Sequence, residues 1–299
     1  MTDPADPRAA VLVTVDELAA DLGLGGDDPA PGPPVLLDVR WALAAAGQAF
    51  DGRTHYLAGH LPGAVFADLE SELAAEPTPA EGRHPLPSTA QLQAAARRWG
   101  VRQGSRVVVY DATGGMSAAR AWWLLRYFGV RDVRILDGGL PAWQRAGHPL
   151  EAHDVEAAPG DVVLRPGHLP MLSADDAAAL AAGEGVLLDA RAGERYRGET
   201  EPLDPRAGHI PGALSAPTSD NLAADGTFRP TVELRERFAA LGVDPGAGEV
   251  GVYCGSGVTA AHEAAALAAT GIEASLYPGS WSQWSNDPTR PVATGPTAR

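Results

Sequence analysis

Cysteine occurs once in the 299 residues, at Cys254, and lysine does not occur at all. A single cysteine excludes an internal disulfide, so nothing points to a secreted, stapled fold. Without lysine, all 23 basic side chains are arginine, and any anion site must use guanidinium groups or backbone N–H. Basic charge is itself scarce: the formal net charge is −15 and the pI is near 4.9. That balance argues against nucleic acid as a partner, because binding there needs a basic surface that displaces counterions. No apolar run approaches the roughly 18 residues that span a membrane. The start, MTDPADPRAA, is acidic and proline-bearing, unlike a signal peptide. Histidines and acids show no metal-ligand spacing. These absences together predict a soluble cytoplasmic protein that binds no nucleic acid and no membrane.

What the chain does contain is written twice. LLDVR at 36–40 returns as LLDAR at 187–191, and GHLPGA at 59–64 as GHIPGA at 208–213. GVRQGSRVVVYD, ending at Asp111, returns as GVDPGAGEVGVYC, ending at Cys254. LDGGLPAW at 136–143 is echoed by LYPGSWSQW at 276–284. Four matches in the same order indicate two copies of one module, each long enough to fold as a domain.

Strand and helix patterns alternate within each copy. VTVDELAADLG and MLSADDAAALAAG read as helices with Thr14 and Ser173 as N-caps. PVLLDVR, GVLLDAR, RVVVYD and EVGVYC are short apolar runs, as expected of buried parallel strands. A helix follows each of the latter two, with Gly129 and Gly271 at the stop position. The fold class is therefore α/β: two tandem domains, each a mainly parallel sheet flanked by helices. The predicted boundaries are 8–150 for an N-terminal domain and 169–295 for a C-terminal domain. Residues 151–168, rich in Pro, Gly and charge, read as a linker.

Ligands of open α/β sheets bind beyond the carboxyl ends of the strands. Cys254 ends such a strand, and its repeat partner is Asp111. A lone cysteine is often no more than a small buried hydrophobe. Here GSG follows it, so the backbone can curl and aim several N–H groups at one place, at the start of a helix. Such donors and the helix dipole stabilise a sulfur anion. Two thiol chemistries suit a cradle of this kind. Phosphoryl transfer uses Cys-x-x-x-x-x-Arg, but position 260 is alanine. Sulfur transfer needs only a compact nest of N–H donors around a persulfide.

Two tandem modules with GH[LI]PGA and a C-terminal CGSGVTA loop resemble the two-domain rhodanese family of sulfurtransferases, over nearly the whole chain. The loop is similar to that of the 3-mercaptopyruvate sulfurtransferase branch. The thiosulfate branch carries basic residues after the cysteine, where this chain has Gly255 and Ser256. The resemblance implies an enzyme that moves a sulfane sulfur from 3-mercaptopyruvate to a thiol, cyanide or a thioredoxin-like acceptor. It implies a Cys254 persulfide and no metal or organic cofactor. The alternatives are a thiosulfate:cyanide sulfurtransferase, a cysteine phosphatase or arsenate reductase on the same module, and a non-catalytic sulfur carrier.

Further residues follow from the resemblance. Gly255, Gly257, Val258 and Thr259 would form the substrate loop. GERYRGETEPLDPRAGHIPG resembles the substrate-binding segment and places Arg195 and Arg206 on the donor's carboxylate or keto oxygen, with Arg197 as a substitute. Ser256 and His84 would form a proton relay completed by an acid, with Asp68 and Glu70 as the candidates. His60 and His209 occur in both copies, although only one copy has the thiol. They are therefore expected to pin the fold.

Overall fold

The computed structural model describes residues 6–24, 32–43, 50–246 and 248–297; MTDPA at the start of the chain lies outside them. The chain divides into two compact units. The first comprises Met1–Leu73, Pro87–His168 and Ala224–Phe228; the second comprises Ala74–Leu86, Leu169–Ala223 and Arg229–Arg299.

In the first unit the strands are β1 (Leu12–Val13), β2 (Val35–Asp38), β3 (Val65–Phe66), β4 (Arg106–Tyr110) and β5 (Asp132–Leu136). They form one sheet in the order β1-β5-β4-β2-β3, with every pairing parallel. The helices are α1 (Val15–Asp21), α2 (Gly52–Ala58), α3 (Thr89–Arg98), α4 (Ala118–Tyr127) and α5 (Gly139–Arg145). Parallel strands need crossovers, and helices provide them. Buried on both faces, β4 reads as an unbroken apolar run, and Val108 and Tyr110 sit in a core with Leu36, Leu136 and Trp143.

The second unit repeats the plan. Its helices are α6 (Ala174–Ala182), α7 (Gly193–Tyr196), α8 (Thr231–Ala240), α9 (Thr259–Ala269) and α10 (Ser280–Trp284). Its strands β6 (Val186–Asp189), β7 (Leu214–Ser215), β8 (Val250–Tyr253) and β9 (Ser275–Leu276) pair in parallel in the order β7-β6-β8-β9. The core gathers Leu172, Leu187, Tyr253, Tyr277 and Trp281. No described helix is long and apolar enough to cross a membrane.

Local signals place the helix ends. Thr14 and Ser173 each close a capping box, with Glu17 and Asp176 as the reciprocal partners. Gly129 and Gly271 have φ of +100° and +91° and end α4 and α9 in the same motif. In that motif Val130 N–H donates to Leu125 O, and Ile272 N–H to Leu267 O.

The expected boundaries differ from the observed units at three places; one is Ala224–Phe228, counted within the C-terminal domain, which groups with the first unit. Residues 151–168 group with the first unit instead of standing apart as a linker. Glu151 exchanges backbone bonds with His60, Gly160 N–H donates to Arg97 O, and His168 N–H donates to Tyr127 O. Residues 74–86, counted within the N-terminal domain, group with the second unit. There Arg83 N–H donates to Ser282 Oγ, and Gln283 Nε2–H to Ala80 O.

The same pins recur in both units. Arg40 bonds Asp38 and Gly59 O, and Arg191 bonds Asp189 and Gly208 O. Tyr110 OH accepts from Leu61 N–H, and Tyr253 OH from Ile210 N–H. His60 lies 2.9 Å from Tyr56 O through Nδ1 and stacks on that ring; His209 lies 2.8 Å from Tyr196 O and stacks likewise. These contacts secure the loops that follow β2 and β6, and they agree with a fold role for both histidines.

Candidate active site

Cys254 directly follows β8, and α9 begins five residues later. Its side chain is 1% exposed. The helix α10 fixes the turn between. From the α10 side, Trp281 N–H donates to Cys254 O at 2.9 Å and Ser282 N–H to Gly255 O at 2.8 Å. Ser280 Oγ accepts from Cys254 N–H at 3.1 Å and donates to Tyr277 O. Ser280 has φ of +53°, and it is the only non-glycine residue with positive φ among the described residues. Its repeat counterpart is Gly139, with φ of +56°. A serine in this sparsely allowed conformation signals that its two hydrogen bonds over-determine the backbone at the cysteine.

The loop carbonyls of Cys254 and Gly255 are thus engaged, whereas its N–H groups face a different fate. Gly257, with φ of +79°, donates its N–H to Cys254 Sγ at 3.1 Å. The left-handed conformation that only glycine adopts cheaply turns this N–H back toward the sulfur. The N–H groups of Gly255, Ser256, Val258 and Thr259 have no acceptor among the described residues.

The first unit shows what such a turn can hold. There the residue at the cysteine position is Asp111. Its Oδ1 accepts from Thr113 N–H at 2.8 Å and Gly115 N–H at 2.9 Å. Its Oδ2 accepts from Ser117 N–H at 2.7 Å, Ala118 N–H at 3.0 Å and Ser117 Oγ at 3.0 Å. Leu140 N–H donates to Asp111 O, matching the Trp281 bond to Cys254 O. One cradle therefore holds a carboxylate through four backbone N–H groups. The other presents a thiol with one N–H on the sulfur and further donors nearby. Backbone N–H groups gathered at one place in this way favour an anion.

Three other side chains meet the loop within the second unit. His84 Nδ1 lies 2.7 Å from Ser256 Oγ; the two residues are 5% and 7% exposed. Arg195, on α7, donates from Nη2 to Glu201 Oε1 at 2.6 Å and approaches Asp204 Oδ2 at 3.4 Å. Arg83 pairs with Asp204 through Nη1. A Cβ placed on Gly255 would lie 3.0 Å from Arg83 Nη2 and 3.4 Å from Arg195 Nη1, so glycine leaves the arginines room against the loop. The Nε–H groups of Arg83 and Arg195 are buried and have no hydrogen-bond partner among the described residues. Unpaired buried donors on guanidinium groups are costly unless a ligand completes them. Asp204 is pushed above the ordinary carboxylate range by burial, against the pull of Arg83. Glu201 is held in turn by Arg191 and by the N–H groups of Leu203 and Asp204.

The structure brings Cys254, Gly255, Ser256, Gly257, Val258, Thr259, His84 and Arg195 into one place, and it parts Arg206 from them. Arg206 donates Nε–H to Ser285 O at 2.8 Å and Nη1–H to Arg290 O at 2.8 Å. Its Nη2 serves Trp284 O at 2.8 Å and Asp287 O at 2.5 Å. The expectation of a substrate role is corrected on this geometry, because every nitrogen of the guanidinium is committed to carbonyls at and beyond the end of α10. Helix ends leave such carbonyls orphaned, and Arg206 satisfies them. Arg197 turns to Glu199 at the surface.

The two candidate acids belong to the first unit. Asp68 Oδ1 accepts from Ser71 N–H, which closes a turn after β3. Glu70 is exposed, and its Oε1 accepts from Trp41 Nε1–H at 2.7 Å.

Sequence reasoning missed Arg83. It stands beside His84 in GRHPLPS, and adjacency to the histidine expected in the relay was the available signal. The preceding Gly82 has φ of +92°, and a Cβ there would lie 2.6 Å from Ser282 Oγ and 2.8 Å from Gly279 O.

Comparison with known proteins bears on the same geometry. The rhodanese-like domain family matches the chain twice, over residues 14–146 and 173–287. The chain belongs to the rhodanese family. It is 50% identical over 293 residues to a Mycobacterium tuberculosis protein named putative thiosulfate sulfurtransferase SseB, covering 96% of this chain and 98% of that one. It is 47% identical to a probable 3-mercaptopyruvate sulfurtransferase of Pseudomonas aeruginosa, covering 96% and 99%. Among solved structures, the 3-mercaptopyruvate sulfurtransferase SseA of Escherichia coli matches with a TM-score of 0.76 at 37% identity, covering 90% of this chain and 98% of that one. This rhodanese thus carries two copies of the family's fold, with a thiol in the second copy only.

Proposed function

We propose that this sulfurtransferase takes its sulfur from 3-mercaptopyruvate and carries it as a persulfide on Cys254. The observation that carries the reading is the paired cradle. Asp111 in one copy receives four N–H bonds, and Cys254 in the other stands where an anion would receive the same.

The Cys254 thiolate attacks the donor's sulfur. A S–S bond forms, the donor's C–S bond breaks, and its electron pair leaves with carbon as the enolate of pyruvate. The donor's S–H proton leaves the new terminal sulfur, which becomes an anion, and the enolate takes up one proton to give pyruvate. Ser256 and His84, 2.7 Å apart at the mouth of the loop, are placed to supply it. Arg195 holds the donor's carboxylate. Gly255, Gly257, Val258 and Thr259 shape the cradle, and their N–H groups stabilise the terminal sulfur anion. An acceptor thiolate, cyanide or a thioredoxin-like protein then attacks that sulfur and releases the Cys254 thiolate. Each step balances without a redox cofactor. A reactive lone thiol of this kind suits a reducing compartment, and we assign the protein to the cytoplasm.

Thiosulfate is the second reading, favoured by the name of the M. tuberculosis relative. Charge near the loop weighs against it. The two arginines there are offset by Glu201 and Asp204, which leaves little net positive charge for a dianion. The deciding experiment compares kcat/KM for the two donors with cyanide as acceptor. The expected result is a preference for mercaptopyruvate; a preference for thiosulfate would reverse the donor assignment.

A further inference from the structure

Arg83 is not singled out by the reading of the sequence, yet it approaches the same loop as Arg195. Three observations bear on it. Its Nε–H is buried without a partner, as is that of Arg195. Both guanidinium groups close on Gly255, the residue after the nucleophile. Asp204, 2% exposed, binds both through its two oxygens, Oδ1 to Arg83 and Oδ2 to Arg195. The local chain is built to deliver this arrangement. Arg83 N–H is fixed on Ser282 Oγ, and Ser282 N–H is fixed on Gly255 O, so Arg83 and the loop are referenced to the same residue.

We propose that Arg83 and Asp204 determine donor specificity. Arg83 joins Arg195 in gripping a planar carboxylate through the guanidinium nitrogens that face Gly255, and Asp204 between them sets the charge so that a monoanionic 2-keto thiol is accepted over a dianion. The guanidinium geometry carries the first half. With Nη1 of Arg83 and Nη2 of Arg195 already on acids, Nη2 of Arg83 and Nη1 of Arg195 are left facing Gly255, where each can donate to a planar oxyanion. The second half rests on charge. A buried acid flanked by two arginines lowers the attraction for a second negative charge at short range, where screening is weak. This inference deepens the mercaptopyruvate reading and rests on it.

The test separates the two. Wild-type kcat/KM for mercaptopyruvate against thiosulfate examines the reading alone. For Arg83, the donor 1-mercaptopropan-2-one, which lacks the carboxylate, is compared with mercaptopyruvate in wild type, Arg83→Gln and Arg83→Lys. The expected loss in Arg83→Gln is roughly 10- to 100-fold in kcat/KM for mercaptopyruvate, the worth of a charged hydrogen bond. The loss for the carboxylate-free donor should be at least about tenfold smaller, and Arg83→Lys should recover part of the difference. Equal losses for both donors would make Arg83 a structural residue and overturn its role. For Asp204, the Asp204→Asn variant should raise the ratio of thiosulfate to mercaptopyruvate kcat/KM by about tenfold or more. A ratio that stays at the wild-type value would overturn the charge argument, whichever donor the wild type prefers.

Discussion

Asp111 is the residue that explains Cys254. A carboxylate with four backbone N–H donors is a strong internal anion site, and the turn around it is shaped to those bonds. Replacing it by alanine would leave those donors buried and unpaired. Asp111→Ala should therefore destabilise the first unit by about 3 kcal/mol or more, measured by denaturant unfolding. A change under about 1 kcal/mol would mean that water replaces the carboxylate without loss. His60 and His209 support a pH prediction. Burial pushes both below the ordinary histidine value. The unfolded chain then binds more protons, so stability is complete above the unfolded pKa of about 6.5 and declines as pH falls below it. A Tm that drops between pH 7 and pH 5 is expected. Substituting His60 by glutamine should flatten that slope; an unchanged slope would assign the acid sensitivity elsewhere.

At the scale of elements, α10 organises the second unit's site although its residues touch no substrate in the proposed reaction. Its first turn bonds the carbonyls of Cys254 and Gly255, and its last turn is held by Arg206. Arg206→Ala removes four charge-assisted bonds to carbonyls. It should cost about 2–3 kcal/mol of stability while sparing donor selectivity. A selective rise in KM for mercaptopyruvate, with stability intact, would restore Arg206 to the substrate site. This helix also shows which signals the sequence carries. Capping boxes at Thr14 and Ser173 and glycine stops at Gly129 and Gly271 are local, so they were legible from neighbouring residues alone. The roles of Arg83 and Arg206 were not. Each depends on which carbonyl or acid lies across space, and two arginines look alike until their partners are known.

At the scale of the molecule, the architecture was written in the repeat. Two copies of a strand–turn–helix plan give two parallel sheets, and a single difference, Asp111 against Cys254, tells the copies apart chemically. The domain limits were less legible, because composition marked 151–168 as a linker while its backbone bonds tie it to the first unit. Nor did composition signal that 74–86, carrying Arg83 and His84, would group with the thiol-bearing unit. Two of the three side chains that meet the cysteine loop, Arg83 and His84, thus come from a segment far from the cysteine in sequence. The central claim is that Cys254 carries the sulfur, and intact-mass spectrometry after brief exposure to mercaptopyruvate tests it most directly. The account predicts a gain of one sulfur atom that cyanide removes and that Cys254→Ser never shows. An unmodified wild-type mass under turnover conditions, or a sulfur gained by Cys254→Ser, would contradict it.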